Sequence, residues 1–467
     1  MSEAAFRTER DSLGELRVPA EAYFGVQTQR AVANFPISGR GLPAGFIAAH
    51  AALKKAAAQA NVALGQLEPR LADAIGTACD EISAGDPRFA AAFPVDVYQT
   101  GSGTSTNMNL NEVIASRANE LLGGRRGDNR PVHPNDTVNL GQSSNDTIPT
   151  SLQVMALVAI RNELRPALDT LHRTLLEQSS ATWDVIKTGR THLQDATPIR
   201  LGQEFLGYAG QIAAASHRLS FAENELRHVP LGGTAVGTGI NAHREFAPRV
   251  CKLLSDALGL HVLEAPNHFW AQATLDVALS AHGVLRTLAV SLIKIANDLR
   301  WMGSGPRAGL GEIDLPAVQP GSSIMPGKVN PVIAESVLMV CQRVLGNDAS
   351  LLAAATANNF ELAMSIPLAA SCLDESIRLL AAAARNFATQ CIAGLAATPR
   401  GPELVEQGTM LATALAPALG YEQAAAIAKE AARTGRTVRQ VAREKTTLSE
   451  EELTRLLDPA RMVEPHE

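Results

Sequence analysis

Apolar residues recur at three- and four-residue spacings over long stretches of the chain. Across residues 151–183 they fall at Leu152, Met155, Leu157, Val158, Ile160, Leu164, Leu168, Leu171 and Leu175, the stripe of an amphipathic helix. Pro166 is expected to kink it, because proline removes a backbone donor and crowds the preceding turn. Similar patterns cover roughly 200–228, 272–302, 332–356 and 365–395. These exceed the ordinary globular helix of about 11–12 residues, so the spacing predicts an elongated bundle. Helical patterns also run over 47–84 and 109–122. Residues 1–45 show little periodicity and carry Pro19, Pro36 and Pro43; beyond about Pro399 the tail reads as several short helices.

Polar stretches interrupt these stripes. Residues 123–149, GGRRGDNRPVHPNDTVNLGQSSNDTIP, form a long polar connection, and a loop of that length inside a compact protein is usually functional or disordered. TGSGTSTNMN (100–109), GRTHLQDATP (189–198) and PGSSIMPGKVNP (320–331) are equally rich in hydroxyls, amides, glycine and proline. The last cannot be helical, although both flanks look helical.

Composition narrows the class. Of 467 residues 46% are hydrophobic but only 4% aromatic, and alanine is abundant, which favours closely packed helices over β-sandwiches. The length exceeds one ordinary core. A net charge of −6 lacks the basic footprint of a nucleic-acid binder. The five cysteines, Cys79, Cys251, Cys341, Cys372 and Cys391, are scattered and form no CxxC, as expected of a reduced, cytoplasmic protein. The charged start MSEAAFRTERDSLGELRV does not read as a signal peptide, and no apolar run is expected to span a bilayer. No dinucleotide-binding or P-loop motif and no metal-ligand spacing is present.

The polar stretches supply donors suited to carboxylates. Lys328 adds a positive charge, and His192 and His133 are acid–base candidates. Each has a plainer reading alone: TGSGTSTNMN as a turn and helix cap, HPND as a turn, His192 as a satisfied structural histidine, Lys328 as a solvated charge. Together they are harder to dismiss, since several such loops between long helices make sense when they converge on one ligand.

In this combination the chain resembles the fumarase/aspartase superfamily, and within it the class II fumarate hydratases. The resemblance rests on FGVQTQRAVANFPISG, TGSGTSTNMNLNEV, HPND, QSSND, GRTHLQDATP, GGTAVGTGIN, KIANDLRWMGSGPRAGLGEI and GSSIMPGKVNP, in order over nearly the whole chain. It implies an all-α fold of three domains, here 1–141, a central long-helix bundle over 142–396, and a small helical domain over 397–467. It implies a homotetramer whose central bundles pack together, with each active site shared by three subunits. It implies a dicarboxylate substrate, no metal or organic cofactor, and no nucleic-acid or membrane partner.

The implied reaction is reversible hydration of fumarate to L-malate through an aci-carboxylate intermediate. The resemblance makes Ser322 the base, His192 the acid-side group and Glu335 its charge partner. Substrate binding falls to Ser102, Gly103, Thr104, Ser143, Ser144, Asn145, Thr191, Ser323, Lys328 and Asn330, and a second anion site to Arg130, His133, Asn135 and Asp136. The 320–331 loop is then expected to be a lid that closes over substrate. Aspartases carry glutamine at the position of His192 and alanine at that of Gly327, so both residues favour a hydratase: hydroxide needs acid help to leave and ammonium does not. Ser105, Thr137 and Ala363 depart from the common hydratase pattern, keeping an aspartate ammonia-lyase or related lyase as the alternative. A non-catalytic relative, such as the superfamily's lens crystallins, has no need of Ser322, Lys328, Asn330 and His192.

Overall fold

The computed structural model describes residues 5–465, and helices dominate it, in keeping with the expected all-α class. Its short strands pair only in twos. Phe6–Asp11 with Gly14–Pro19, Ile186–Thr191 with Gln194–Arg200, and Ile313–Asp314 with Ala396–Ala397 are antiparallel; His228–Val229 with Leu263–Glu264 is parallel. The chain divides into two compact units. One takes the chain up to Pro166 together with His217–Thr287 and Gln342–Ala381; the other takes Ala167–Ser216, Leu288–Cys341 and Ala382 onward.

The first unit is organised around helix Ala44–Ala63, which packs against Pro69–Ser83, Ser144–Ala159 and Phe246–Leu258. Half of its buried positions are alanine, including Ala51, Ala57 and Ala60, and small side chains let helices approach closely. Phe46, Leu53, Ile75, Ile114, Ile148 and Leu152 fill the remaining space. Polar groups are buried here too. His282 Nδ1 lies 3.0 Å from Asp348 Oδ1 and its Nε2 2.9 Å from Ser376 Oγ. This has the order of a hydrolytic triad, but His282 and Ser376 are fully buried, so it fastens three helices and has no access to a substrate.

In the second unit the C-terminal helices enclose a core of Val405, Leu411, Leu415, Ile427, Val438, Val441, Leu453 and Leu457. Capping boxes at Thr437 with Gln440 and Ser449 with Glu452 start two of its short helices, satisfying N–H groups that have no partner within a helix.

Several expectations are corrected. Residues 47–84 form two helices, Ala44–Ala63 and Pro69–Ser83; Pro69 opens the second at its first position, where an N–H has no intrahelical partner anyway. The next helix starts at Thr104 rather than Asn109. The helix expected from Ser151 starts at Ser144. There the capping box of Ser143 and Asp146 outweighs the breaking effect of Pro149. A wider π-type turn, Ile160–Leu164, precedes Pro166. Both antiparallel hairpins, at 6–19 and 186–200, lie in stretches read as irregular or polar. Among the described residues one helix, Asp276–Met302, is long and apolar enough to cross a membrane by length and composition, with mean hydropathy 1.3 over its most apolar window, 39% of it buried. Arg286 and Lys294 interrupt that run and hide it in the sequence; both are ion-paired, with Asp348 and Asp298.

Candidate active site

Two helix N-termini in the first unit carry a chain of hydroxyls. Ser102 Oγ lies 2.8 Å from Thr104 Oγ1, which lies 2.7 Å from Ser144 Oγ. Thr104 opens helix Thr104–Leu121 and Ser144 opens Ser144–Ala159. The first N–H groups of a helix have no partner within it, and its dipole favours negative charge there. Two such ends with hydroxyls between them suit a carboxylate. Gly103 makes the turn possible: its φ is 77°, and a Cβ would sit 2.7 Å from Ile148 Cγ2. Asn145 donates through Nδ2 to the Ala235 carbonyl at 2.8 Å, and its N–H to Ser143 Oγ at 3.2 Å. Asp146 accepts from the N–H groups of Ser143, Gly232 and Thr234, tying the GGT segment to the serine loop. Burial pushes its carboxyl up to about 6 in spite of those donors.

The segment expected to form a second anion site folds as a tight turn, Pro134–Val138. His133 Nδ1 accepts from the N–H groups of Asn135 and Asp136 at 3.2 and 3.1 Å. That fixes Nδ1 as an acceptor and leaves the proton of a neutral ring on Nε2. Asp136 Oδ2 stands 3.3 Å from the same nitrogen, but the two backbone donors already occupy it, so this proximity is not a hydrogen bond to neutral histidine. Thr137 fastens the turn by accepting the His133 N–H at 3.0 Å. Arg130 is exposed. A polar cavity of about 480 Å³ is lined by His133 and Asn135 together with Ser105, Arg7, Arg30 and Glu112. Burial raises the Glu112 carboxyl, although three N–H groups and the Thr28 hydroxyl donate to it.

A buried polar hub joins these segments. Lys54 Nζ donates to Asn139 Oδ1 at 2.8 Å and Gln142 Oε1 at 3.0 Å. Asn107 and Asn111 donate to the same Asn139 oxygen, each at 3.2 Å. Asn139 and Gln142 lie between HPND and the serine loop, so Lys54 holds the connection from beneath. Its burial is complete and pushes the ammonium down to about 7.

In the second unit, the 320–331 loop is closed on itself. The Gly321 N–H donates to the Lys328 carbonyl at 2.9 Å, and Asn330 Nδ2 to the Gly321 carbonyl at 2.7 Å. A Cβ on Gly321 would collide with the Lys328 carbonyl oxygen. Within the loop, Ser322 Oγ accepts N–H groups from Ile324 at 3.2 Å and Met325 at 2.9 Å. Lys328 Nζ donates to Asn330 Oδ1 at 2.6 Å, and Ser323 is exposed.

Thr191 and His192 stand at the tip of hairpin 186–200, where Thr191 pairs with Gln194. The two-residue turn between them, His192 and Leu193, has φ of 57° and 59°. Turns with two positive φ values favour asparagine and glycine; side chains such as these cost on the order of 1–3 kcal/mol each there, and such strain clusters at functional sites. The His192 side chain is exposed and, among the described residues, makes no hydrogen bond or ion pair. Glu335, in the first turn of Val332–Ala355, is half-buried and has no ion pair with His192 within the chain.

The expected residues therefore gather as Ser102, Gly103, Thr104, Ser143, Ser144 and Asn145, as His133, Asn135 and Asp136, and as Ser322, Lys328 and Asn330. Lys54 and Asp146 escaped the sequence reading. The available signals were a lysine within the alanine-rich AALKKAAAQANVA and the charge that ends QSSND.

Known proteins supply the remaining context. A family model described as Lyase matches residues 14–346, and one described as Fumarase C C-terminus matches 411–464. The class II fumarate hydratase of Nitrosomonas europaea is 50% identical over 463 residues, 98% of this chain and 99% of that protein. The crystal structure of a class II fumarase from Schistosoma mansoni superposes with a TM-score of 0.96 at 38% identity, covering 99% of this chain and 100% of that one. The fumarate lyase:delta crystallin of Brucella melitensis superposes with a TM-score of 0.94 at 46% identity, covering 99% and 100%. The chain belongs to the class II fumarate hydratase family of lyases.

Proposed function

We propose that the chain catalyses the reversible hydration of fumarate to L-malate with Ser322 as the base. The observation that carries this is the setting of Ser322 Oγ, which receives two backbone N–H groups from its own loop. A serine hydroxyl is a poor base until it ionises, and donors directed at its oxygen favour the alkoxide. In the dehydration direction Ser322 removes the C3 proton of malate. The electron pair enters the adjacent carboxylate, giving an aci-carboxylate dianion. That pair then forms the double bond as hydroxide leaves C2 and takes a proton from His192, directly or through water. The developing charge needs donors already in place. Ser102, Thr104 and Ser144 supply them at two helix ends, with Ser143, Asn145, Thr191, Ser323, Lys328 and Asn330 completing the cradle. Arg130, His133, Asn135 and Asp136 form a second anion site.

A homotetramer brings these groups together, each active site drawing on three subunits, and Glu335 meets His192 there. Exposed Leu206, Phe221, Trp301 and Met339 on the long helices support such an assembly. The chain is read as successive domains 1–141, 142–396 and 397–467, the last with a core of its own. Five buried, unpaired cysteines suit a reducing cytoplasm.

The test is ultraviolet absorbance of fumarate, with purified protein and EDTA, supplied with L-malate or, in parallel, L-aspartate. Growth of signal with malate alone supports the hydratase. Growth with aspartate alone overturns it in favour of an ammonia-lyase, and silence with both removes the reading.

A further inference from the structure

We propose that Glu312 is a positioning residue for His192, acting through Arg190. The inference rests on the acid-side role of His192 proposed above.

The hairpin tip is strained and its histidine is unsupported, so the orientation of His192 has to be set from below. Arg190 immediately precedes Thr191. Its guanidinium makes two bonds to Glu312, Nη1 to Oε2 at 3.0 Å and Nη2 to Oε1 at 2.7 Å. The strand register shifts between Thr188 and Arg190, and such an irregularity re-aims a side chain. Lys187, on the same strand and fully buried, places Nζ 3.3 Å from Glu312 Oε2 and 2.9 Å from Glu204 Oε1. Glu312 is 1% exposed and its backbone is pinned on both sides: its N–H donates to the Met302 carbonyl, and its carbonyl accepts from Thr398. The carboxylate is therefore a fixed post, and the hairpin is tied to it at two positions of one strand.

A buried ion pair is a weak source of net stability, because desolvation offsets attraction. A planar two-point bond does fix direction. Glu204 shows the cost of this cluster, since its Oε2 is buried without a partner and burial raises its carboxyl. A clamp this costly, directly below a strained tip that carries a reacting group, holds geometry. Glu312 also stands ten residues before Ser322, at the start of the segment that leads to its loop.

The experiment is a double-mutant cycle with assembled protein. Glu312→Gln keeps the shape and removes the charge. It is expected to lower kcat about tenfold or more with KM little changed, the pattern of an interaction felt in the transition state. In a His192→Asn background the same change should alter kcat less than about twofold, because residues that act as one unit are non-additive. An equal factor in both backgrounds, or a change in KM alone, overturns the proposal. If Glu312→Gln does not assemble, Arg190→Lys replaces it in the cycle, keeping the charge and losing the two-point bond. A His192→Asn protein with undiminished kcat would instead remove the acid-side reading itself.

Discussion

Thr104 Oγ1 lies 2.7 Å from Ser144 Oγ, although the two residues are 40 positions apart. The contact joins the first residues of two helices, and Ser102 extends it to three hydroxyls. Removing the central hydroxyl leaves two others without a partner, a loss of about 1–2 kcal/mol in binding. Thr104→Val and Ser144→Ala are each expected to raise KM for malate about tenfold. The double variant should raise it by less than the product of the two, because both act on one chain of bonds. Steady-state kinetics on assembled protein checks this.

Ser322→Ala keeps both bonds that close the loop, from the Gly321 N–H to the Lys328 carbonyl and from Asn330 Nδ2 to the Gly321 carbonyl. It should abolish most turnover while leaving the mass of the oligomer unchanged in light scattering. Near-normal turnover would take the base role away from Ser322.

At His192, function and stability should move in opposite directions. Asparagine tolerates positive φ better than histidine, and His192 has φ of 57°. His192→Asn is expected to lower malate dehydration at least about a hundredfold, with a melting temperature equal to the parent's or higher. A variant that loses stability as well would mean the ring is a structural support.

Lys54 gives the stability a pH dependence. Its ammonium is pushed down to about 7 from the usual 10.5 by burial, with Asp146 and Cys79 opposing that shift. His50 also stands within its field. Below about pH 7 both folded and unfolded states hold the proton, and the penalty is fully present. Between about 7 and 10.5 the unfolded state binds more protons, so this group makes stability rise with pH, by at most about 1.4 kcal/mol per unit. Asp146, raised to about 6 from 3.8, acts oppositely at lower pH: the folded state holds the proton longer, and stability falls as pH rises between those values. Lys54→Met removes the alkaline gain. Its melting temperature relative to the parent should be highest near pH 6.5 and lower at pH 9; parallel curves would refute the assignment.

The long helices were legible because their apolar stripes repeat every three or four residues over several turns. The hairpin at 6–19 was not: FRTERD turns Arg7, Glu9 and Asp11 inward and leaves Phe6 exposed, and the Leu16–Val18 alternation of GELRVP is too short to read alone. QSSND contains a legible capping box, yet it sits inside the polar run 123–149, which reads as a connection. The motif residues were found as sequence. What they do to one another was not, because the hydroxyl chain, the Lys54 hub and the Arg190 clamp join positions tens of residues apart. Nor does His-Leu resemble a turn, yet both residues take positive φ in the fold.

The loop that carries Ser322 is knotted at its own neck, from Gly321 to Lys328 and Asn330. Ordering a free segment costs about 1–2 kcal/mol of backbone entropy per residue. In this loop that loss falls once, when the chain folds, instead of recurring with every substrate. The two N–H groups on Ser322 Oγ come from inside that neck, so substitutions outside it can change where the loop sits without changing how its serine is held.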